Sequence, residues 1–311
     1  MPRRFALPAL PCLTSRQRLI LMVAGVVIAF GVWALIVWLA APYDWNTIGT
    51  GHDARPYWTA LFDNPYATSR VGDHDAYLYS PAFLELIAPL RALPWQLFIA
   101  SWAIVMMLAV LYLVGPVLFG LVLLLVLPEL LGGNITLLLA LVVVLGFRWP
   151  GVWSFALLTK VTPGIGLLWF AVRREWRQLA IALGFTLAVV VVSLVFAPIA
   201  LWRDWIDELA GNANSPITSG SLPISLVARL PFAVLVIVWG AWTNRRWALP
   251  IGCLLALPVI WYGSLTLLVA VIPLAAGEPI QRHWSLAAAD VRQWWVERRG
   301  TPKARRQTQR A

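Results

Sequence analysis

Runs of apolar residues long enough to cross a bilayer constrain this chain more than any motif in it. Leu19 to Ala41 carries no charged side chain, and a hydrocarbon core about 30 Å thick needs roughly 20 helical residues to span it. Further apolar segments occupy residues 95–113, 117–131, 134–147, 150–160, 163–172, 178–197, 222–242, 247–260 and 262–276, making ten with the first. Each must satisfy its own backbone hydrogen bonds in lipid. None shows the period-two alternation of a barrel strand, so helices are the spanning form. Composition agrees: 60% hydrophobic residues against 12% charged, with mean hydropathy +0.77, is too apolar for a soluble fold around one core. The predicted fold class is an all-α polytopic membrane protein.

Charge sets its orientation. Arg3, Arg4, Arg16 and Arg18 precede the first span without an acid, which places the N-terminus in the cytoplasm. A secretory signal peptide is the competing reading, but the apolar run exceeds the usual core of about 7–15 residues, so an uncleaved anchor is expected. Residues 42–94 then form a large external loop, with Asp44, Asp53, Asp63, Asp73, Asp75 and Glu85 against Arg55, Arg70 and Arg91. If each segment crosses once, Arg148, the Arg173-Arg174-Glu175-Trp176-Arg177 turn, the Arg245-Arg246 turn and the C-terminal tail all fall inside, and residues 198–221 fall outside. Multi-pass insertion in a cell (inner) membrane with both termini cytoplasmic follows.

Several segments are only about 11–15 residues, or roughly 16–22 Å of helix, so some are expected to be broken or re-entrant. Pro163-Gly164 and Pro258 are natural break points, since proline removes a backbone donor and clashes with the preceding turn. No internal repeat is visible. Residues 283–300 place Trp284, Ala287, Val291, Trp294 and Trp295 at helical spacing opposite basic residues, as in a helix lying in the inner interface. A helix docking a cytosolic partner has the same pattern. The expected division is therefore a transmembrane domain over 1–276 and a cytoplasmic amphipathic helix with a basic tail over 277–311.

Nineteen Trp suit a membrane protein, because indoles favour the lipid–water boundary. Cys12 and Cys253 have neither metal-ligand nor disulfide-framework spacing. The sequence pI near 10.4 reflects basic residues beside apolar runs, so membrane lipids rather than nucleic acid are the expected surroundings.

The external loop carries a series of short blocks: Asp53-Ala54-Arg55-Pro56-Tyr57, Asn64-Pro65-Tyr66, Tyr77-Leu78-Tyr79-Ser80-Pro81 and Pro89-Leu90-Arg91-Ala92-Leu93-Pro94. After them come Gly133-Asn134-Ile135-Thr136, Lys160 before Thr162-Pro163, the Arg-Arg-x-Trp-Arg turn, and Asn214-Ser215 followed by Arg229. Each block alone is ordinary turn chemistry. Their order and spacing, from about 50 to 265, resemble glycosyltransferase family 87. That resemblance implies a GT-C-like helical bundle with a large first external loop. It further implies transfer of a sugar, mannose or another hexose, from a polyprenyl phosphate carrier to an extracytoplasmic lipid or glycan acceptor, with inversion and with Asp53 as general base. One position departs from the family pattern. Many members carry a Trp followed two places later by His, whereas Trp261 is followed by Tyr262 and Gly263, which leaves a different substrate or a non-catalytic relative open.

Residue chemistry supplies the remaining candidates. Lys160 and Glu129 are ionisable groups in apolar surroundings, a functional hint in a membrane; Lys160 suits a donor phosphate or snorkels to the interface, and Glu129 is read as an interfacial acid. Arg229 and Arg55 are further phosphate candidates. Tyr57 and Tyr79, with Trp58 and Tyr77, stack on a sugar or belong to the aromatic belt. Asn214 and Asn134 bond sugar hydroxyls or cap helices. Asp73-His74-Asp75 resembles a metal-binding triplet but lacks a nucleotide-binding domain around it, so no cofactor is predicted and metal dependence stays open. Two other function classes remain: a lipid or glycan transporter or flippase, and a non-catalytic subunit of an envelope-assembly complex. Transporters concentrate polar groups at the midplane, whereas this chain concentrates them in 42–94.

Overall fold

The computed structural model describes residues 13–40, 50–66, 76–212, 221–276 and 280–299. The α-helices in chain order are α1 Ser15–Ala40, α2 Arg55–Thr59, α3 Pro81–Leu86, α4 Ala88–Arg91, α5 Trp95–Leu125, α6 Leu127–Gly132, α7 Thr136–Leu145, α8 Trp153–Thr159, α9 Leu168–Val172, α10 Trp176–Ser193, α11 Ile199–Asn212, α12 Leu226–Trp242, α13 Ala248–Leu255, α14 Val271–Ala275 and α15 Ile280–Arg299. Three 3₁₀ segments, Pro150–Val152, Thr162–Leu167 and Tyr262–Ala270, join them. No strand occurs among the described residues, and the chain is an all-α polytopic membrane protein. Helices α1, α5 and α10 are each long and apolar enough to cross a bilayer.

The 31 residues of α5 would reach about 46 Å if straight, at ~1.5 Å per residue. They do not stay straight. Gly115 adopts φ 71° and ψ 170°, outside helical space, directly before Pro116. Gly51 shows the outcome, because a Cβ there would lie 2.7 Å from the Trp95 ring, while its amide donates to the Leu131 carbonyl at 2.6 Å. Both ends of the 95–131 stretch therefore meet the same loop residue, and the chain folds back at Gly115-Pro116. The gap between the expected segments 95–113 and 117–131 falls on this reversal.

Contacts sort the molecule into two ends. One end gathers Ala40 with Trp95, Ser80 with Leu158, Glu85 with Ser193, Leu78 with Trp205, and Lys160 with Asn134. The other gathers Arg18 with Asp290, Arg173 with the Ala241 carbonyl, and Arg246 over the Phe147 ring. Successive apolar segments run between these ends in alternation. The short ones are broken where proline predicts: Thr162–Leu167 is 3₁₀ after Lys160, and the chain leaves α13 before Pro258. Close backbone approach holds α1 on α5, since a Cβ on Gly120 would come within 2.7 Å of Gly25 Cα.

The segment expected outside the membrane between the 178–197 and 222–242 runs begins with a helix, α11, in which Leu201, Trp202 and Trp205 are buried. The tryptophans also divide by role. Trp38, Trp176 and Trp242 are exposed, but Trp102, Trp153 and Trp169 are interior. Several indoles tie elements together by donating to carbonyls, as Trp33 does to Ala100, Trp58 to Leu93 and Trp102 to Gly133.

Candidate functional site

Asp53 is placed by backbone. Its amide and that of Ala54 both donate to the Gly132 carbonyl, at 2.9 and 3.2 Å, and the Arg55 amide closes a turn on the Gly51 carbonyl. The turn fits because of two glycines at the end of α6. Gly133 has φ +75°, and a Cβ on it would meet the Ala54 Cβ at 2.6 Å; a Cβ on Gly132 would stand 3.1 Å from Asp53 Oδ2. The carboxylate itself remains open, with 44% of its side chain exposed, and His52 Nδ1 lies 3.9 Å from Oδ1. A rigid backbone seat with an accessible oxygen is what a general base requires.

Lys160 ends α8 on the same side. Its ammonium donates to Asn134 Oδ1 at 3.1 Å, and that oxygen also accepts from Thr136 Oγ1 at 3.2 Å. The next residue aims it. Val161 holds φ 50° and ψ −63°, and the Thr162 amide returns to the Lys160 carbonyl at 2.5 Å. This is a positive-φ γ-turn, a rare and strained conformation, and for a β-branched residue it costs on the order of 1–3 kcal/mol.

Glu129, read from the sequence as an interfacial acid, is placed in the interior by the fold, with only 4% of its surface exposed. Oε1 accepts from the Thr136 amide at 3.0 Å, and a Cβ on Gly263 would lie 2.5 Å from Oε2. Gly263 stands two places after Trp261, where the resemblance described above implies a histidine, and this carboxylate uses space that a side chain there would need. Lys160 has Glu129 and then Asp53 as its opposite-charge neighbours. The signal was present in an acid within an apolar run.

Tyr57 and Tyr79 form an interior cluster instead of a boundary belt. Their hydroxyls are 3.0 Å apart, and Tyr57 packs edge-on against Tyr79, Phe83 and Trp102. Tyr66 donates to the Tyr79 carbonyl and Tyr77 to that of Ser80. Burial pushes both the Tyr57 and Tyr79 phenols above their ordinary range, with added repulsion from Asp53. Both keep their protons at neutral pH, so they can donate hydrogen bonds but not accept the acceptor's proton.

The other candidates separate from this group. Arg229 is buried, and its guanidinium donates to the carbonyls of Ile224, Leu255, Leu257 and Pro258 at 2.7–2.9 Å. Those bonds clamp the break between α13 and the Tyr262–Ala270 segment. In this arrangement the guanidinium named above as a phosphate candidate is engaged by backbone carbonyls. Arg55 is the first residue of α2, directly after the Asp53 turn, and is half-buried. Asn214 and the Asp73-His74-Asp75 triplet lie outside the described residues. Among the described residues no group of three potential metal ligands occurs.

The sequence model of glycosyltransferase family 87 matches residues 77–289, about two thirds of the chain. Tyr79, Glu129, Lys160, Arg229 and Gly263 lie within the match, whereas Asp53, Arg55 and Tyr57 lie before it. No curated protein and no solved structure matches the chain.

Proposed function

We propose, because the chain belongs to glycosyltransferase family 87, that it transfers a hexose such as mannose from a polyprenyl phosphate carrier to a lipid or glycan acceptor at the outer face of the inner membrane. The bundle is read as GT-C-like, with both termini cytoplasmic. A site on that face has no nucleotide-sugar pool, so a lipid-linked donor already carried across the membrane fits the topology. The acceptor hydroxyl attacks the anomeric carbon, the new C–O bond forms as the bond to phosphate breaks, and polyprenyl phosphate leaves with the electron pair. The hydroxyl proton passes to Asp53, and the configuration at the anomeric carbon inverts.

The observation that carries this reading is the Asp53 seat: an open carboxylate, held by two backbone amides on the Gly132 carbonyl, with Lys160 as an opposite charge in the same group. Lys160 and its γ-turn supply a positioned cation for the leaving phosphate. The tyrosines brace the loop against α5. Positioned proton transfer contributes typically about 10² to 10⁴ in rate, so Asp53→Asn is expected to lose roughly that factor in transfer from a polyprenyl phosphate sugar while still inserting and binding the donor. Asp63→Asn, an exposed loop acid, serves as the comparison and is expected to be near wild type. Full activity in Asp53→Asn overturns the assignment.

A further inference from the structure

A lysine in apolar surroundings needs a counter-charge, and this site holds two acids that could supply it. Glu129 is buried and fixed: one oxygen takes the Thr136 amide and the other faces Gly263. Asp53 is half exposed. Glu129 and Lys160 are joined through a chain of bonds, from the ammonium to Asn134 Oδ1, from Thr136 Oγ1 to that same oxygen, and from the Thr136 amide to Glu129 Oε1. Lys160 therefore has Glu129 on its interior side, through this chain, and Asp53 as a further acidic neighbour. If Glu129 were neutral, Asp53 would be the remaining partner, and a carboxylate engaged with an ammonium is a poorer proton acceptor.

We propose that Glu129 is a positioning residue for the transfer reaction: it balances and orients Lys160 from within the bundle, so that Asp53 stays free of that charge, and Gly263 leaves the room its carboxylate occupies. The inference rests on the transfer reading above and adds a requirement to it. Residue 263 must lack a side chain. A methyl there would stand 2.5 Å from Oε2, well inside van der Waals contact, and would push the carboxylate off its seat.

The test is a double-mutant cycle in purified full-length protein with a polyprenyl phosphate sugar as donor. Glu129→Gln keeps the size and the acceptor for the Thr136 amide but removes the charge, and coupled neighbours typically show effects of about 2- to 150-fold; a fall in kcat/KM of roughly tenfold or more is expected. Gly263→Ala should fall in the same direction. In a Lys160→Met background, Glu129→Gln should cause no further loss, because the group it acts through is gone. Multiplying losses in the double variant, or full activity in Glu129→Gln, would overturn the proposal. Thermal unfolding tests the pairing independently of transfer. Lys160→Met leaves a buried carboxylate without its cation and should lower the melting temperature, and Lys160→Met/Glu129→Gln should recover it. A double variant less stable than Lys160→Met also refutes the pairing. Should wild-type protein transfer no sugar while this stability pattern holds, the transfer reading fails and the pairing survives.

Discussion

Arg229 holds four carbonyls with one guanidinium, so its removal should be read in stability before activity. Leaving a buried acceptor unsatisfied typically costs about 1–3 kcal/mol, and Arg229→Met, which frees carbonyls that the guanidinium now bonds, is expected to lower the stability of the detergent-solubilised protein by at least that order. Arg229→Lys offers three donors in place of five and should fall between. Transfer per folded molecule should change little in the lysine variant. A specific rise in donor KM at unchanged stability would instead return Arg229 to the phosphate. Such roles are not legible in residue type: an arginine near a span end has the same letters whether it meets a ligand or four carbonyls. Proline at 258 hints that carbonyls are freed nearby, yet only the fold brings them to Arg229. Asp53 was singled out by the order of blocks around it, but its backbone seat on the Gly132 carbonyl could not be read from the sequence. Glu129 was visible as an intramembrane acid, but its surroundings include Gly263, which is distant in sequence, as well as the nearby Thr136. The Val161 γ-turn left no trace, since valine has no propensity for positive φ.

Among the helices, the sequence showed what periodicity and proline can show. The fold-back of α5 was marked by Gly115-Pro116, and α15 by its repeating tryptophans. Helix α11 was missed because a short, charged segment outside the spans reads as loop, although Leu201, Trp202 and Trp205 share a helical face. Helix α15 also makes a specific contact with the rest of the chain. Asp290, 5% exposed, accepts two bonds from Arg18 at 2.6 and 2.7 Å, and Ala287 beside it is buried. This fork pins the C-terminal helix to the base of α1. The Arg18 hydrogen bond holds the Asp290 carboxyl below its ordinary value. Because the docked value is the lower one, the contribution is present above about pH 4, the ordinary aspartate pKa, and is lost as pH falls through the docked value. Proteolysis of α15 should therefore accelerate on acidification below about pH 4 and be fast at every pH in Asp290→Asn. Unchanged cleavage in that variant would mean that lipid, not Arg18, holds the helix.

The bundle is polar in a particular sense, because its two ends differ in charge. The end that carries the candidate site has Asp53, Asp63, Glu85, Glu129, Asp204, Asp207 and Glu208 among its described acids, while Arg148, Arg173, Arg174, Arg177, Arg245 and Arg246 crowd the other. Some of the contacts that define the ends involve none of these residues: the Trp95–Ala40 and Trp205–Leu78 indole–carbonyl bonds, the Gly51 contacts and the Arg18–Asp290 fork. Charge and contact divide the chain in the same way, and the proposed orientation, with the arginine end in the cytoplasm, follows the positive-inside rule. The proposed lipid-linked donor rests on that orientation, so it is the premise to test first. Single cysteines at Ser69, Thr218 and Thr308, in protein whose Cys12 and Cys253 are replaced by serine and alanine, should label from outside in the first two cases and only after permeabilisation in the third. Cys253 is buried, so its replacement by alanine removes a small interior group and should leave the ends unchanged. Labelling of Thr308→Cys from outside, with Ser69→Cys and Thr218→Cys labelled only after permeabilisation, would invert the chain in the membrane. The Arg18–Asp290 fork would then sit outside, and the candidate site would face the cytoplasm, where nucleotide sugars could serve as donors and the polyprenyl phosphate reading would lose its physical reason.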